Sequence, residues 1–471
     1  MAWPGDSTMS MSASLLKEFE AVVGAENVMT SEVDRQTYAY DGAVLEPVEP
    51  AVALRPVTSE ALGACVRLCN ENGLPVTARG AGTNLSGGTI PKPGGVVILT
   101  NSLNKILEIN EEDLYAVVQP GVVTATFAAE VLKHGLFYPP DPGSMAVSTL
   151  GGNVAENAGG LRGLKYGVTK DYVMGVDFFD VEGGLVKTGS RTVKCVTGYN
   201  LSGLMIASEG TLGVFNEITL KLVPPPAAQK AMMAVYDSMD KAAASVAAII
   251  AAKILPCTLE FLDKPTIQYV EDFCKAGMPT DADAILLIEV DGHPAQVEDD
   301  AQKVVDICKK VGALSVDMAQ NAAQRDSLWT ARRAALPALA RARPTIVLED
   351  ATVPRSKFPA MVRDICDIAA KYKVDVATFG HAGDGNLHPS LLCDRRDKEE
   401  MHRIELAVDE IFDRALSYHG TLSGEHGIGM SKSKWMEKET SRATIEYSLR
   451  MKKAIDPKNI LNPTKIIEGR G

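Results

Sequence analysis

The chain has 471 residues, carries 48 Lys and Arg against 60 Asp and Glu for a formal charge of −12, and is 46% hydrophobic and 23% charged. That length points to two or three packed units, and the composition excludes disordered, collagen-like and coiled-coil classes. The acidic balance lacks the basic footprint that neutralises phosphates, so no nucleic-acid partner is expected.

The first residues, MAWPGDSTMSMSAS, have neither a basic start nor a continuous apolar stretch and do not read as a secretory leader. From residue 73 to residue 213 glycines crowd between β-branched runs at 95–99, 115–118 and 173–179, alternating with short helical patterns, which indicates α+β packing. The triple proline Pro224, Pro225, Pro226 stops both helix and central strand and marks the expected domain boundary. Beyond it the pattern predicts a helix at 240–253, a strand at 284–290 and a helix at 296–311. A helix at 358–372, strands at 374–379 and 387–392 and a long amphipathic helix at 398–418 follow. The longest apolar run, 242–252, is far short of the roughly 20 residues that span a bilayer, so no transmembrane segment is expected. Eight cysteines scattered from Cys65 to Cys393 include no CxxC pair. They suit buried thiols in a reducing compartment and match no familiar iron–sulfur spacing, so an iron–sulfur centre is expected on a partner chain, if anywhere.

Residues 74–88, LPVTARGAGTNLSGG, place a short strand before Gly80, Gly82, Gly87 and Gly88. Glycines let such a loop turn with positive φ and present backbone N–H groups to an anion. It is no Rossmann fingerprint, because the third glycine position falls on Leu85 and no acid lies about 20 residues further on. Nor is it a P-loop, since Gly88 stands in the place of the lysine. One such loop is as often a plain turn as a site, but two further segments shift the balance. Residues 139–167, PPDPGSMAVSTLGGNVAENAGGLRGLKYG, interleave paired glycines with Ser148, Thr149, Asn153 and Asn157, and residues 208–213, SEGTLG, add the carboxylate of Glu209.

RGAGTNLSGG, STLGGNVAENAGG and SEGTLG resemble the FAD-binding domain of the vanillyl-alcohol oxidase type, the family also named after p-cresol methylhydroxylase. The resemblance implies FAD, and noncovalent FAD, because residues 79–88 lack the histidine through which some relatives attach flavin. It implies pyrophosphate contacts from Gly80, Ala81, Gly82, Thr83, Asn84 and Ser86. Ser148, Thr149, Gly152 and Asn153 would flank the flavin ring, and Glu209 and Ile218 would lie at the adenosine end. Arg79, Gly87, Pro140, Asp141, Asn157, Gly160, Tyr166, Gly167, Gly210 and Gly213 complete the expected cofactor-binding set, with Asn462 from the tail ILNPTKI.

Of seven histidines, His381, His388 and His426 fall in two glycine-framed motifs, GHAGDGNLH at 380–388 and GEHGIG at 424–429. His381 ends a predicted strand, Asp384-Gly385 turns the chain and His388 opens the next strand, so both imidazoles can face one point across a hairpin. With the Glu425 carboxylate they form a three-ligand set with an open position, which suits zinc or manganese, zinc somewhat favoured by nitrogen ligation. The alternative is that these histidines only hydrogen-bond within turns. His426 points away from its neighbour and, with an unperturbed pKa of about 6.5, can act as a general base if it is not itself a ligand. Both motifs resemble those of the FAD-dependent D-2-hydroxyacid dehydrogenases, the group that includes D-lactate dehydrogenase and the flavin subunit of glycolate oxidase. That resemblance implies His381, His388 and Glu425 on the metal and His426 as the base.

LWTARR at 328–333 offers Arg332 to grip a substrate carboxylate, in preference to Arg333, unless the pair is only an exposed basic helix face. Relatives acting on 2-hydroxyglutarate carry a lysine near the position of Leu348, and none stands here. A small D-2-hydroxy acid is therefore expected, D-lactate ahead of glycolate, with D-2-hydroxyglutarate or another alcohol on the same fold as the alternative. The implied architecture is α+β. A helical segment at 1–45 precedes an FAD-binding domain at 46–225. A cap domain at 226–420, with an antiparallel sheet and the metal hairpin, closes over the ring, and residues 421–471 return to the FAD domain. An electron-acceptor protein, an iron–sulfur or an electron-transfer flavoprotein subunit, is the expected partner. The expected location is the cytoplasm, or the inner-membrane surface through that partner.

Overall fold

The computed structural model describes residues 11–467, so most of the N-terminal stretch read above for a leader lies outside the described residues. The chain forms two compact units: one from Met1–Ala158, Val168–Pro225 and Glu425–Gly471, the other from Gly159–Gly167 and Pro226–Gly424.

The first unit holds two sheets. The four-stranded one runs Val28–Met29, Val52–Leu54, Val96–Leu99, Val76–Arg79, its last three strands parallel. Val96–Leu99 is apolar throughout because a parallel strand is covered on both faces. Helix Ser59–Glu71, capped by Thr58, buries Leu62, Cys65, Val66 and Cys69 in the same core. Burial pushes the Cys65 thiol up to about 12, so it is an inert packing group. All eight cysteines are free, and only Cys195 is exposed. The five-stranded sheet is antiparallel, with Val214–Lys221 at its centre between Tyr115–Val118 and Val173–Phe179.

The second unit is built on one antiparallel sheet. Its strand order is Ser315–Met318, Ala228–Tyr236, Ala284–Gly292, Thr258–Asp263, Asp375–His381, Asn386–Cys393, Thr345–Leu348, with Ala351–Thr352 also paired to Asn386–Cys393. One face packs Leu262, Ile285, Leu287 and Phe379 against helices Lys264–Cys274, Ala322–Arg333 and Ala335–Ala342. On the other face the Phe261 ring meets Phe358 of helix Phe358–Tyr372 edge-on at 5.8 Å. Residues 284–290 and 398–418 of the sequence reading become strand Ala284–Gly292 and helix Lys398–Ser417. Strands Ala228–Tyr236 and Thr258–Asp263 have no counterpart in it. No helix among the described residues is long and apolar enough to cross a membrane.

Asp263 clamps the middle of this sheet. Its carboxylate accepts from Thr266 N at 3.0 Å and Thr266 Oγ1 at 2.6 Å, capping helix Lys264–Cys274, and from Thr378 N of the neighbouring strand at 2.6 Å. Burial outweighs these donors and raises the carboxyl to about 6. A carboxyl whose folded pKa exceeds its unfolded value binds its proton more tightly in the native state, so this group's contribution falls as pH rises between roughly 4 and 6. Over that window, urea denaturation of the parent is expected to lose about 2 kcal/mol more than that of Asp263→Asn.

Candidate functional site

Strand register assembles the histidine cluster. Glu260 of Thr258–Asp263 lies directly opposite His381 of Asp375–His381, and Phe379 of that strand lies opposite His388 of Asn386–Cys393. Residues paired across an antiparallel sheet share a face, and so do residues two apart on one strand, so Glu260, His381, Phe379 and His388 all stand on the same face. The two imidazoles are perpendicular with centroids 5.1 Å apart, and Phe379 packs on His388 at 5.4 Å. The hairpin between them is a four-residue turn, Ala382 to Gly385, rather than a tight two-residue one. Gly385 has φ +85°, and a Cβ there would strike the Val353 carbonyl.

Glu260 is fully buried and uses both oxygens. Oε1 lies 2.8 Å from His381 Nδ1, and Oε2 accepts from Arg332 Nε at 2.7 Å and Nη2 at 2.6 Å. Burial works to raise this carboxyl, but the charges and hydrogen bonds of His381 and Arg332 prevail and hold it below the ordinary glutamate range. An ionised carboxylate can only accept, so His381 donates from Nδ1. Arg332 is buried at the end of helix Ala322–Arg333, its guanidinium carbon 4.8 Å from the Phe379 ring centroid, whereas Arg333 is exposed. The reading of an exposed basic face therefore applies to Arg333 alone. Close by, Trp329 Nε1 donates to Glu289 at 2.6 Å, an acceptor that burial raises.

Asp350, fully buried after strand Thr345–Leu348, accepts from Ser423 Oγ at 2.7 Å and places an oxygen 3.9 Å from His388 Nδ1. Gly424 lies against Thr352 and Asn386, and Asn386 is the cross-strand partner of His381. The chain passes from the second unit to the first at the peptide bond between Gly424 and Glu425. Glu425 and His426, both half-buried, open that last segment.

In the first unit many residues expected to touch cofactor also bond to protein. Arg79 donates to Tyr40 O at 2.8 Å and Thr89 Oγ1 at 3.0 Å, and Asn84 donates to Asp41 at 2.7 Å, so both brace the root of the loop. Gly82 and Gly87 have φ of +69° and +79°, and a Cβ on Gly80 would collide with Thr149 Oγ1. Thr149 caps helix Leu150–Glu156, while Asn153 and Ser148 bond to Thr124 within the core. Asn157 ends that helix in the left-handed region and accepts from Lys170 N. Pro140 and Asp141 are buried, and Ile218 is a core residue of the central strand. Gly160, Tyr166 and Gly167 belong to the second unit, where the Tyr166 hydroxyl donates to Asp291 at 2.6 Å.

The Glu209 carboxylate accepts from Ile428 N and Gly429 N at 2.8 Å each. Burial still leaves it raised. Asn462 donates to Gly88 O at 2.8 Å and Glu209 O at 2.6 Å and accepts from Thr77, tying three segments together. A cleft in this unit is lined by Ala81 of the glycine loop, Asn101, Asn104, the 121–123 turn, Val147 and Thr149. Its bare loop backbone beside small polar and apolar residues fits a phosphate-linked planar cofactor such as FAD. The sequence reading missed Glu260, Asp350, Asn101 and Asn104. In the run TLEFLD, Glu260 alternates with Leu259 and Phe261 as an ordinary polar position, so the sequence carried no signal for it.

Two family models match the chain: FAD linked oxidases, C-terminal domain, over residues 225–466, and FAD binding domain over residues 50–189. It is 49% identical to the glycolate oxidase subunit GlcD of Bacillus subtilis, over 94% of this chain and 95% of that one. It is 34% identical to a D-lactate dehydrogenase of Anaerostipes hadrus, over 96% of this chain and 97% of the relative. The structure of p-cresol methylhydroxylase with substrate bound superimposes with a TM-score of 0.81 at 17% identity, covering 96% of each chain, and so shares the fold.

Removing the Glu209 carboxylate strands two N–H groups in the first unit. Glu209→Ala is expected to cost about 1–3 kcal/mol and to speed amide exchange at Ile428 and Gly429, read by hydrogen-exchange mass spectrometry.

Proposed function

Because the chain belongs to the FAD-linked oxidases, we propose that it oxidises a small 2-hydroxy monocarboxylate, glycolate or D-lactate, to the 2-oxo acid. The observation that carries this reading is the buried set on one sheet face: an arginine and two imidazoles joined or flanked by Glu260 and Phe379. The names of the relatives support the choice of acid.

Bound FAD supplies a two-electron acceptor for the Cα hydrogen, and a divalent cation, zinc or manganese, held by His381, His388 and Glu425 supplies Lewis-acid polarisation of the hydroxyl. The imidazole donor set fits such a cation, His381 through Nε2. Arg332 turns its Nε and Nη2 toward Glu260, so the substrate carboxylate meets Nη1. His426 takes the hydroxyl proton as a neutral imidazole. Strand Thr345–Leu348 offers Ile346, Val347 and Leu348 and no cation, which disfavours a second carboxylate and argues for a monocarboxylate over 2-hydroxyglutarate.

FAD is held noncovalently, and reoxidation passes through a partner chain, iron–sulfur or electron-transfer flavoprotein in kind. The glycolate oxidase relative is named as a subunit, which supports a partner. The protein then works in the cytoplasm or at the inner membrane through that partner.

Anaerobic titration of the yellow holoprotein with glycolate, D-lactate, L-lactate and D-2-hydroxyglutarate tests the reading. Glycolate or D-lactate should bleach the flavin band, and chelator should prevent it. His426→Ala should keep its flavin and slow that bleaching about 10²- to 10⁴-fold. A flavin that none of the four acids reduces would overturn the proposal.

A further inference from the structure

We propose that Glu260 is a positioning residue serving two tasks at once: it fixes the His381 ring for metal binding and aims Arg332 at the substrate carboxylate. The inference rests on the function proposed above and extends it to a residue that touches neither metal nor substrate.

The geometry separates this role from ordinary charge neutralisation. A counter-ion for Arg332 alone needs only Oε2, which already takes both Nε and Nη2. The second oxygen lies 2.8 Å from His381 Nδ1, and strand register sets the two residues directly opposite each other. The contact is thus built into the sheet and does not depend on a flexible side chain finding a neighbour. Carboxylates behind metal-binding histidines set the ring orientation and the tautomer, and their loss typically weakens metal binding 10- to 100-fold. The same carboxylate holds the Nε/Nη2 edge of the guanidinium, which fixes the plane of the ion and the direction in which its Nη1 side faces.

Glutamine at 260 is nearly the same size but has one acceptor oxygen and one donor nitrogen. Facing two sets of donors, it can satisfy His381 or Arg332 and not both. Glu289 is the control. It is a buried carboxylate on the neighbouring strand that accepts from Trp329 Nε1, a bond a glutamine oxygen can replace.

The experiment uses holoprotein with FAD retained and metal removed by chelator. Zinc affinity is measured by equilibrium dialysis, the KM and kcat for glycolate and D-lactate by steady-state kinetics, and histidine tautomers by ¹⁵N spectra of the histidine-labelled chain. Glu260→Ala should weaken zinc binding at least tenfold, raise KM at least tenfold and remove one Nδ1–H signal. Glu260→Gln should show one of the two functional losses, while Glu289→Gln shows neither. Should Glu260→Ala lose its fold, seen as lost flavin, Glu260→Gln decides alone, and parental zinc affinity and KM together in it overturn the inference. His381→Ala separates the two levels. If that variant keeps stoichiometric zinc, the metal reading itself falls. If it loses zinc while Glu260→Ala binds zinc like the parent with the Nδ1–H signal intact, only the role of Glu260 falls.

Discussion

A carboxylate with no exposed surface has to remain ionised at Glu260 for the second unit's functional face to hold together. Taking an ion out of water costs several kcal/mol, and the attraction that offsets it works only at hydrogen-bonding distance. His381 and Arg332 meet that condition from a strand 121 residues away in sequence and a helix 72 residues away. Any slip of one residue between Thr258–Asp263 and Asp375–His381 would send His381 to the opposite face and leave Glu260 with Arg332 alone. The Asp263 clamp onto Thr378 is therefore more than a helix cap, since it pins the same two strands three residues from Glu260. Arg332 in turn fixes how helix Ala322–Arg333 docks, because its Phe379 contact and its Glu260 bonds cannot both survive rotation of that helix.

The first unit solves a different problem, presenting backbone to a ligand. A loop that offers N–H groups outward must have its own side chains held elsewhere, and Arg79, Asn84, Glu209 and Asn462 are held in this way. Bonding to protein does not remove these residues from a cofactor site. It gives the adjacent main chain a fixed shape, which is what a glycine-rich cradle lacks on its own. Glu209 shows the economy of the arrangement, because its carboxylate locks Ile428 and Gly429 while its carbonyl accepts from Asn462.

The sequence made the glycine loops, the α+β alternation and the histidine motifs legible, since each is a local pattern of a few residue types. Strands at 115–118 and 173–179 and the helix at 358–372 were readable for the same reason, and they keep those bounds in the structure. Thr258–Asp263 was not, because it is short and lies between Cys257 and Lys264-Pro265. Glu260 has meaning only beside its two partners, and no local window contains them. Asp350 hides for a like reason, its neighbours Ser423 and His388 being contributed by separate segments. The surroundings of Tyr166 were equally hidden: the segment 159–167 packs with the second unit and the hydroxyl bonds Asp291, a partner 125 residues away.

The Glu260 bridge also bears on how the proposed substrate would be recognised. A free arginine grips a carboxylate through two parallel N–H bonds, which fixes the plane of the acid as well as its position. Here the Nε/Nη2 edge is taken by Glu260, which leaves the Nη1/Nη2 edge for a substrate, and the guanidinium and the carboxylate cancel in charge. What is left is the Nη1 side of the guanidinium over an aromatic ring, which can grip one small carboxylate. The hydroxyl side calls for a second anchor, and the two imidazoles on the same sheet face are the groups with the chemistry to hold a cation there. Arginine and histidines are thus complementary halves of one recognition problem, and the buried glutamate is bonded to both.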